Sequence, residues 1–225
     1  VLIILCLFPG QVIRYNNIRL ILNKEMGPMI IGIDIDNTIT STRDLILEYV
    51  RTFERENDLR SEVDPNHYSL EESLNWEAPL IERFLSTYLA DIYKYVAPKP
   101  SAIEVIEALH QQHTIILITS RNQRDGAIKN LTLEWLSRYQ VSYDKLIMND
   151  TENMHHFSKL AACLENHVEV MIEDHHDLSL ELSECIPVIM FDYPYNEYLT
   201  ADNIVRVHDW LEVPSIIATI AAPQK

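Results

Sequence analysis

The sequence predicts an α/β fold: a doubly wound parallel sheet of the Rossmann kind, with a small helical cap inserted after the first strand. Three observations carry that expectation. Short apolar runs alternate with amphipathic stretches, as strands buried on both faces do with the helices that cover them. The first apolar run ends at Asp34 and the second begins at Thr114, a far longer interval than one crossover helix requires. Acids and hydroxyls follow directly on several of the runs.

Each element has its own pattern. Residues 29–34, Met-Ile-Ile-Gly-Ile-Asp, read as the first buried strand. Residues 45–59 and 79–96 carry apolar side chains at helical spacing with charges between them, so the insertion is expected to be helical. Its bounds are set at 43–97, which leaves 29–42 and 98–225 as the core domain. Ser101-Ala-Ile-Glu104 has the form of a capping box ahead of a helix at 102–110. Further strands are expected at 114–119, 145–148, 168–172 and 186–191. Helices are expected at 127–139, around 159–164 and at 215–222.

Residues 1–28 are expected to lie outside the domain. Val1 to Phe8 are apolar but end at Pro9-Gly10, well short of the ~20 residues that cross a bilayer. They show neither the basic start nor the cleavage site of a secretion signal. Met26 and Met29 stand just before the first strand, and Lys24-Glu25 could be encoded by a ribosome-binding-like AAGGAG, so an upstream start assignment is expected.

Composition narrows the function classes. With 47% apolar and 23% charged residues, the 225-residue chain can bury a core. A net charge of −16 argues against a nucleic-acid polymer, which needs clustered Lys and Arg. It permits a small anionic substrate if a bound dication supplies local positive charge. Cys6, Cys163 and Cys185 lack metal-ligand spacing and read as reduced thiols of a cytoplasmic protein. No membrane partner is expected, and a homodimer is left open.

In open α/β sheets, ligands bind at the carboxyl ends of the strands. The first strand ends in Asp34-Ile-Asp36-Asn-Thr38, the second in Thr119-Ser120-Arg121 and the fourth in Glu173-Asp174. Asp34, Asp36 and Asp174 would form an all-oxygen cluster suited to Mg²⁺, which also offsets the charge of an approaching phosphoryl group. Asp34 can then attack phosphorus, while Asp36 protonates the leaving alkoxide and later deprotonates water. Thr119 or Ser120 supplies a hydroxyl to the phosphoryl oxygens, and a lysine the charge. Lys159, near the start of the helix before the fourth strand, suits that role better than Lys145, which opens a strand at the opposite edge.

Asp-Ile-Asp-Asn-Thr, Leu-Ile-Thr-Ser-Arg, Lys159 and Ile-Glu-Asp174 together resemble the four motifs of the haloacid-dehalogenase-like phosphatases. Within that superfamily, Tyr195-Asn196 and Val205-Arg-Val-His-Asp-Trp210 resemble the ending of the 5′-nucleotidase group that includes the cytosolic deoxyribonucleotidases. The resemblance runs from Met29 to about Pro214. It implies Asp34 as nucleophile and Asp36 as acid and base. It also implies that the Asp34 side chain, the Asp36 carbonyl and Asp174 hold the metal, and that Thr119 and Lys159 hold phosphate. Glu173 stands where some relatives carry aspartate, so its role is open.

Plainer readings compete at other positions. Tyr68, Trp76 and Tyr88 in the insertion either stack on a base or fill its core. Arg121 is a phosphate clamp or a structural ion pair. His155-His156 and His175-His176 lack the i, i+4 spacing of helical metal ligands and read as surface residues, although His175 and His176 adjoin Asp174. The reading is a phosphomonoester hydrolase, with a nucleoside monophosphate as the favoured substrate. A sugar-phosphate or other small-metabolite phosphatase is the alternative. A regulatory phospho-acceptor domain shares the acidic cluster, Thr and Lys but lacks the second aspartate and the insertion.

Overall fold

A computed structural model describes residues 27–152 and 156–222. The expectation for the 1–28 segment, up to residue 26, together with Cys6 and the His155 half of the first histidine pair, therefore lies outside the described residues. These residues form a six-stranded parallel sheet of order β3-β2-β1-β4-β5-β6. The strands are β1 (Ile30–Ile33), β2 (Thr114–Asn122), β3 (Lys145–Asn149), β4 (Val170–Glu173), β5 (Val188–Phe191) and β6 (Ile204–Val207). The helices are α1 (Thr42–Glu56), α2 (Leu70–Leu74), α3 (Ala78–Tyr95), α4 (Ala102–His110), α5 (Gly126–Arg138), α6 (Lys159–Glu165), α7 (His176–Ser183) and α8 (Val213–Ile220).

The two-residue period of the strands sorts their side chains between two cores. Ile31, Ile33, Ile115, Leu117, Val170, Ile172, Ile189 and Phe191 meet α4, α5 and α8 on one face. Ile116, Ile118, Met171, Val188 and Met190 meet α6 and α7 on the other. Gly32 belongs to the second face, where a Cβ would come within 2.6 Å of Met171 Sδ. A residue without a side chain leaves that space to the Met171 and Val168 side chains.

The insertion leaves and re-enters the sheet through a narrow neck. Thr40 pairs with Pro98 in an antiparallel bridge, and Lys99 N donates to Ile39 O at 2.7 Å. Beyond the neck, α1, α2 and α3 share a separate core of Val50, Phe53, Leu74, Trp76, Ile81, Phe84 and Ile92. Sequence reading missed the short helix α2, helix α7 and strand β6. All three are brief, and β6 sits at the sheet edge with a half-exposed pattern rather than a buried run.

The expected capping box at Ser101 does not form. Ser101 adopts φ 62°, a left-handed conformation, and its side chain caps nothing. A capping serine needs an extended backbone to aim its oxygen at the first turn.

Candidate active site

Register explains why acids collect at one point. β1 pairs with β4 so that Ile33 faces Ile172, and each chain continues into carboxylates at the same edge. Asp34 N donates to Ile172 O at 3.0 Å, which sets Asp34 beside Glu173. Ligand oxygens of Asp34, Glu173 and Asp174 all lie within 4.8 Å of one another, and all three residues are buried.

Lys159 stands among them. Ser158 caps α6 by accepting from Ala161 N, so Lys159 begins the helix at the acid-bearing edge. Its Nζ donates to Asp34 Oδ1 at 2.5 Å and to Glu173 Oε2 at 2.8 Å. Lys145 instead is exposed at the far end of β3 and donates to Asn166 Oδ1. Glu173 thus gains a defined place. One of its oxygens holds Lys159, and the other accepts from the N–H groups of Asp174 and His175, each at 3.2 Å.

The turn after β1 positions Asp36. Asn37 takes φ 58°, a left-handed bend that asparagine tolerates better than most residues. Its Oδ1 accepts from Arg43 N at 2.7 Å, capping α1 in place of Ser41, whose side chain makes no cap bond. That holds Thr42 where its hydroxyl donates to Asp36 Oδ1 at 2.7 Å. Arg121 grips the same carboxylate with two bonds, Nε to Oδ2 at 2.9 Å and Nη2 to Oδ1 at 2.8 Å. Its guanidinium also covers the ring of Tyr93 at 3.9 Å. Of the two readings open for Arg121, the ion pair is the contact made here, with the Asp36 carboxylate as its partner.

The electrostatics divide the acids. Burial most strongly pushes the Asp34 carboxyl well above its usual range; Lys159 opposes this, and Glu173, Asp174 and Asp36 add to it. Burial, followed by Glu173, pushes Asp174 up to about 7. Burial acts to raise Asp36 too, but the charge and hydrogen bonds of Arg121 outweigh it and hold Asp36 below the usual carboxylate range. Lys159 loses to burial less than it gains from Asp34 and Glu173, so it stays protonated. One ammonium therefore faces three carboxylates. Hard oxygen donors with excess negative charge suit Mg²⁺, and neither thiol nor imidazole belongs to that set.

Thr119 is buried within β2, which runs on to Asn122 past a register shift against β3, and its hydroxyl accepts from Arg121 N at 3.2 Å. Ser120 beside it is only partly covered. Tyr68 reaches the site from the insertion, with its ring 4.1 Å from that of His175 and 5.3 Å from that of Tyr195. Asp174, Asp34, Glu173 and Asp36 all add to the rise that burial imposes on its hydroxyl. Trp76 lies in the insertion core: its ring packs on Phe53 and Phe84, its indole N–H donates to Ser61 Oγ, and only 7% of it is exposed. Tyr88 also belongs to the insertion core, with its hydroxyl on Glu56.

Sequence reasoning gave no site role to Thr42, Asn37 or Tyr195. Tyr195 donates to Asp174 Oδ2 at 2.6 Å. Its only signal was the likeness of Tyr195-Asn196 to a family ending, because it follows β5 on an irregular turn rather than closing a strand.

Comparison with known proteins agrees with this geometry. The family described as 5′ nucleotidase, deoxy (pyrimidine), cytosolic type C protein matches residues 28–224. A nucleotidase of Clostridium acetobutylicum is 30% identical over 196 residues, covering 85% of this chain and 95% of its own. The Bacillus subtilis protein YqfW is 31% identical over 185 residues, covering 81% of this chain and 90% of its own. Among solved structures, a haloacid dehalogenase-like hydrolase from Streptococcus pneumoniae superposes with a TM-score of 0.61 at 16% identity, over 84% of this chain and 98% of that one. The Bacillus subtilis HAD-hydrolase YfnB, solved bound to magnesium, gives 0.55 at 11% identity, over 85% and 99%. At those identities the structural likeness is one of fold.

Proposed function

The chain belongs to the cytosolic type C 5′-nucleotidase family of haloacid-dehalogenase-like hydrolases and is a phosphatase, and from that premise we propose that it hydrolyses (deoxy)nucleoside monophosphates through a phosphate ester on Asp34. Membership in a hydrolase family sets aside the regulatory phospho-acceptor alternative. The observation that carries the proposal is the buried meeting of Asp34, Glu173, Asp174 and Lys159 at the carboxyl edge of the sheet.

Mg²⁺ would be held by Asp34, Asp174 and the Asp36 carbonyl, and when bound it supplies positive charge to the phosphoryl oxygens. An Asp34 oxygen attacks phosphorus, and the ester oxygen leaves. Lys159 and the Thr119 and Ser120 hydroxyls receive the negative oxygens of the transferring group. Asp36 protonates the departing alkoxide, then removes a proton from the water that cleaves the acyl phosphate, which returns Asp34 as a carboxylate. The Arg121 pair favours the ionised form of Asp36, the form needed for the water step. In the first step Asp36 must carry a proton, so its bonds to Arg121 must loosen as the ester enters.

Tyr68 is an insertion ring beside the acids, and unlike Tyr93 its face is not covered by the Arg121 guanidinium, so base stacking is assigned to it. A small-metabolite phosphatase of the same mechanism is favoured by one specific finding, the burial of Trp76 in the insertion core with Tyr88 packed against it. A panel of nucleoside monophosphates, sugar phosphates and glycerol phosphate, assayed with Mg²⁺ and with EDTA, separates these readings. The expected result is EDTA-sensitive turnover, with kcat/KM for the best nucleotide at least about tenfold above glycerol phosphate. Full activity in metal-stripped enzyme would remove the magnesium site, and equal turnover of all esters would remove the nucleotidase assignment.

A further inference from the structure

Tyr195 and Asn196 follow β5 on a 3-10 turn, outside the four motifs that the proposed chemistry uses. Both are buried, and both reach Asp174. The Tyr195 hydroxyl donates to Asp174 Oδ2 at 2.6 Å. The Asn196 Nδ2 donates to the Asp174 carbonyl at 2.8 Å and to the Phe191 carbonyl at 2.8 Å. Asn196 is itself held, because its Oδ1 accepts from Tyr193 N at 3.1 Å and from Arg206 Nη1 at 2.6 Å. The remaining bonds to the Asp174 carboxylate are longer, 3.3 Å from Asn37 Nδ2 and 3.4 Å from Thr38 Oγ1.

The ring of Tyr195 is equally constrained. It stacks on Tyr193 with centroids 4.9 Å apart, and the guanidinium of Arg43 lies over it at 5.2 Å. The same guanidinium donates to the carbonyls of His67 and Tyr68 and to Ser73 Oγ. The rings of Tyr68 and Tyr195 meet edge to face, with centroids 5.3 Å apart. Tyr195 therefore touches Asp174 with its hydroxyl and the insertion with its ring.

We propose that Tyr195 is a positioning residue that orients Asp174 for the divalent cation, with Asn196 fixing the backbone beneath it. This rests on the magnesium reading above. A hydroxyl donating to one oxygen of a carboxylate restrains its rotation and leaves the other oxygen aimed at the ion. Loss of such an outer partner typically lowers metal affinity about 10- to 100-fold. The Asp174 hydrogen bonds from Asn37 and Thr38 are too long to replace it.

The test is Tyr195→Phe, which keeps the ring and its stacking, compared with wild type and with Tyr193→Phe. Tyr193 is the stacked neighbour whose hydroxyl donates to the Asn37 carbonyl instead. Mg²⁺ binding is read by titration calorimetry without substrate and by the Mg²⁺-dependent rise in melting temperature. The Mg²⁺ dissociation constant of Tyr195→Phe is expected to rise about tenfold or more, with kcat recovering at saturating Mg²⁺ and with Tyr193→Phe within about twofold of wild type. A dissociation constant for Tyr195→Phe that rises less than about fivefold, or an equal loss in Tyr193→Phe, overturns the assignment. Wild type that binds no Mg²⁺ overturns the magnesium reading itself, a result the calorimetry distinguishes from failure at Tyr195 alone.

Discussion

At the carboxyl edge of the sheet, Asp34, Glu173, Asp174, Lys159 and Arg121 are buried with their charges, and each is matched to named partners. Within the insertion, Val50, Phe53, Trp76 and Phe84 fill a small apolar core. The insertion meets this edge through Tyr68, whose ring lies beside those of His175 and Tyr195, and through Tyr93, whose ring lies under the Arg121 guanidinium. The contrast separates two tasks. In the proposed mechanism, chemistry rests on the strand ends, whose positions the register of the sheet sets. The same proposal gives selection of the rest of the substrate to the insertion residues that face the edge, while the others keep the insertion folded.

The largest effects should come from the edge. Asp34→Asn removes the attacking oxygen and is expected to leave less than about a thousandth of wild-type kcat. Asp36→Asn should lose about 10²- to 10⁴-fold. Circular dichroism should show both variants folded. Retention of more than about a tenth of wild-type activity by either, in saturating Mg²⁺, would break the assignment of chemistry to this edge.

Lys159→Ala should cost about 10²- to 10³-fold in kcat, as loss of one preorganised donor to a developing charge commonly does. Lys145→Ala, at the opposite end of an adjacent crossover, should stay within about twofold. Steady-state kinetics on one ester suffice. Equal losses would mean that the buried contacts of Lys159 with Asp34 and Glu173 serve folding alone.

Tyr68 and Trp76 divide the insertion itself. Tyr68→Ala should reduce kcat/KM for a nucleotide about 5- to 150-fold, the ~1–3 kcal/mol of one stacked base, while sparing glycerol phosphate. Trp76→Ala should instead cost stability, about 3–5 kcal/mol for a buried tryptophan, and leave the ratio of the two substrates unchanged where the protein is folded. The reverse pattern would place the base in the insertion core.

The smallest effect is one of pH. The Asp174 carboxyl stands near 7 in the folded chain, above its ordinary 3.8, and Asp34 is raised as well. Between those values the folded state binds more protons than the unfolded one, so stability falls as pH rises. Metal-stripped protein should therefore melt a few degrees lower at about pH 8 than at about pH 6.5. Below that window the effect is opposed by His175 and His113, which burial keeps neutral. Saturating Mg²⁺ should flatten the slope, since it replaces the proton as the compensating charge. A melting temperature that climbs with pH in stripped protein would contradict the crowding of these acids.

How much of this was legible beforehand follows from the kind of signal each residue carries. Asp34, Asp36, Thr119 and Asp174 stand where apolar runs give way to polar residues, and such places are readable in sequence. Lys159 was readable from its place at a helix start. The Arg121 pair was not, because both of its readings share one position in sequence and differ only in where the guanidinium turns. Trp76 and Tyr68 look alike as aromatic residues in a helical insertion, yet one faces inward and the other faces Asp174.

The sequence by itself determined the parallel α/β architecture, the helical insertion between the first two strands and the edge where the acids meet. Those follow from local periodicity and from the rule that parallel strands present their carboxyl ends together. Only the tertiary structure decided that Glu173 holds Lys159, that Arg121 and Thr42 hold Asp36, and that Tyr195 holds Asp174. Each of these contacts joins side chains on different elements, and their partners depend on strand register and on rotamers chosen by packing, which no local pattern encodes.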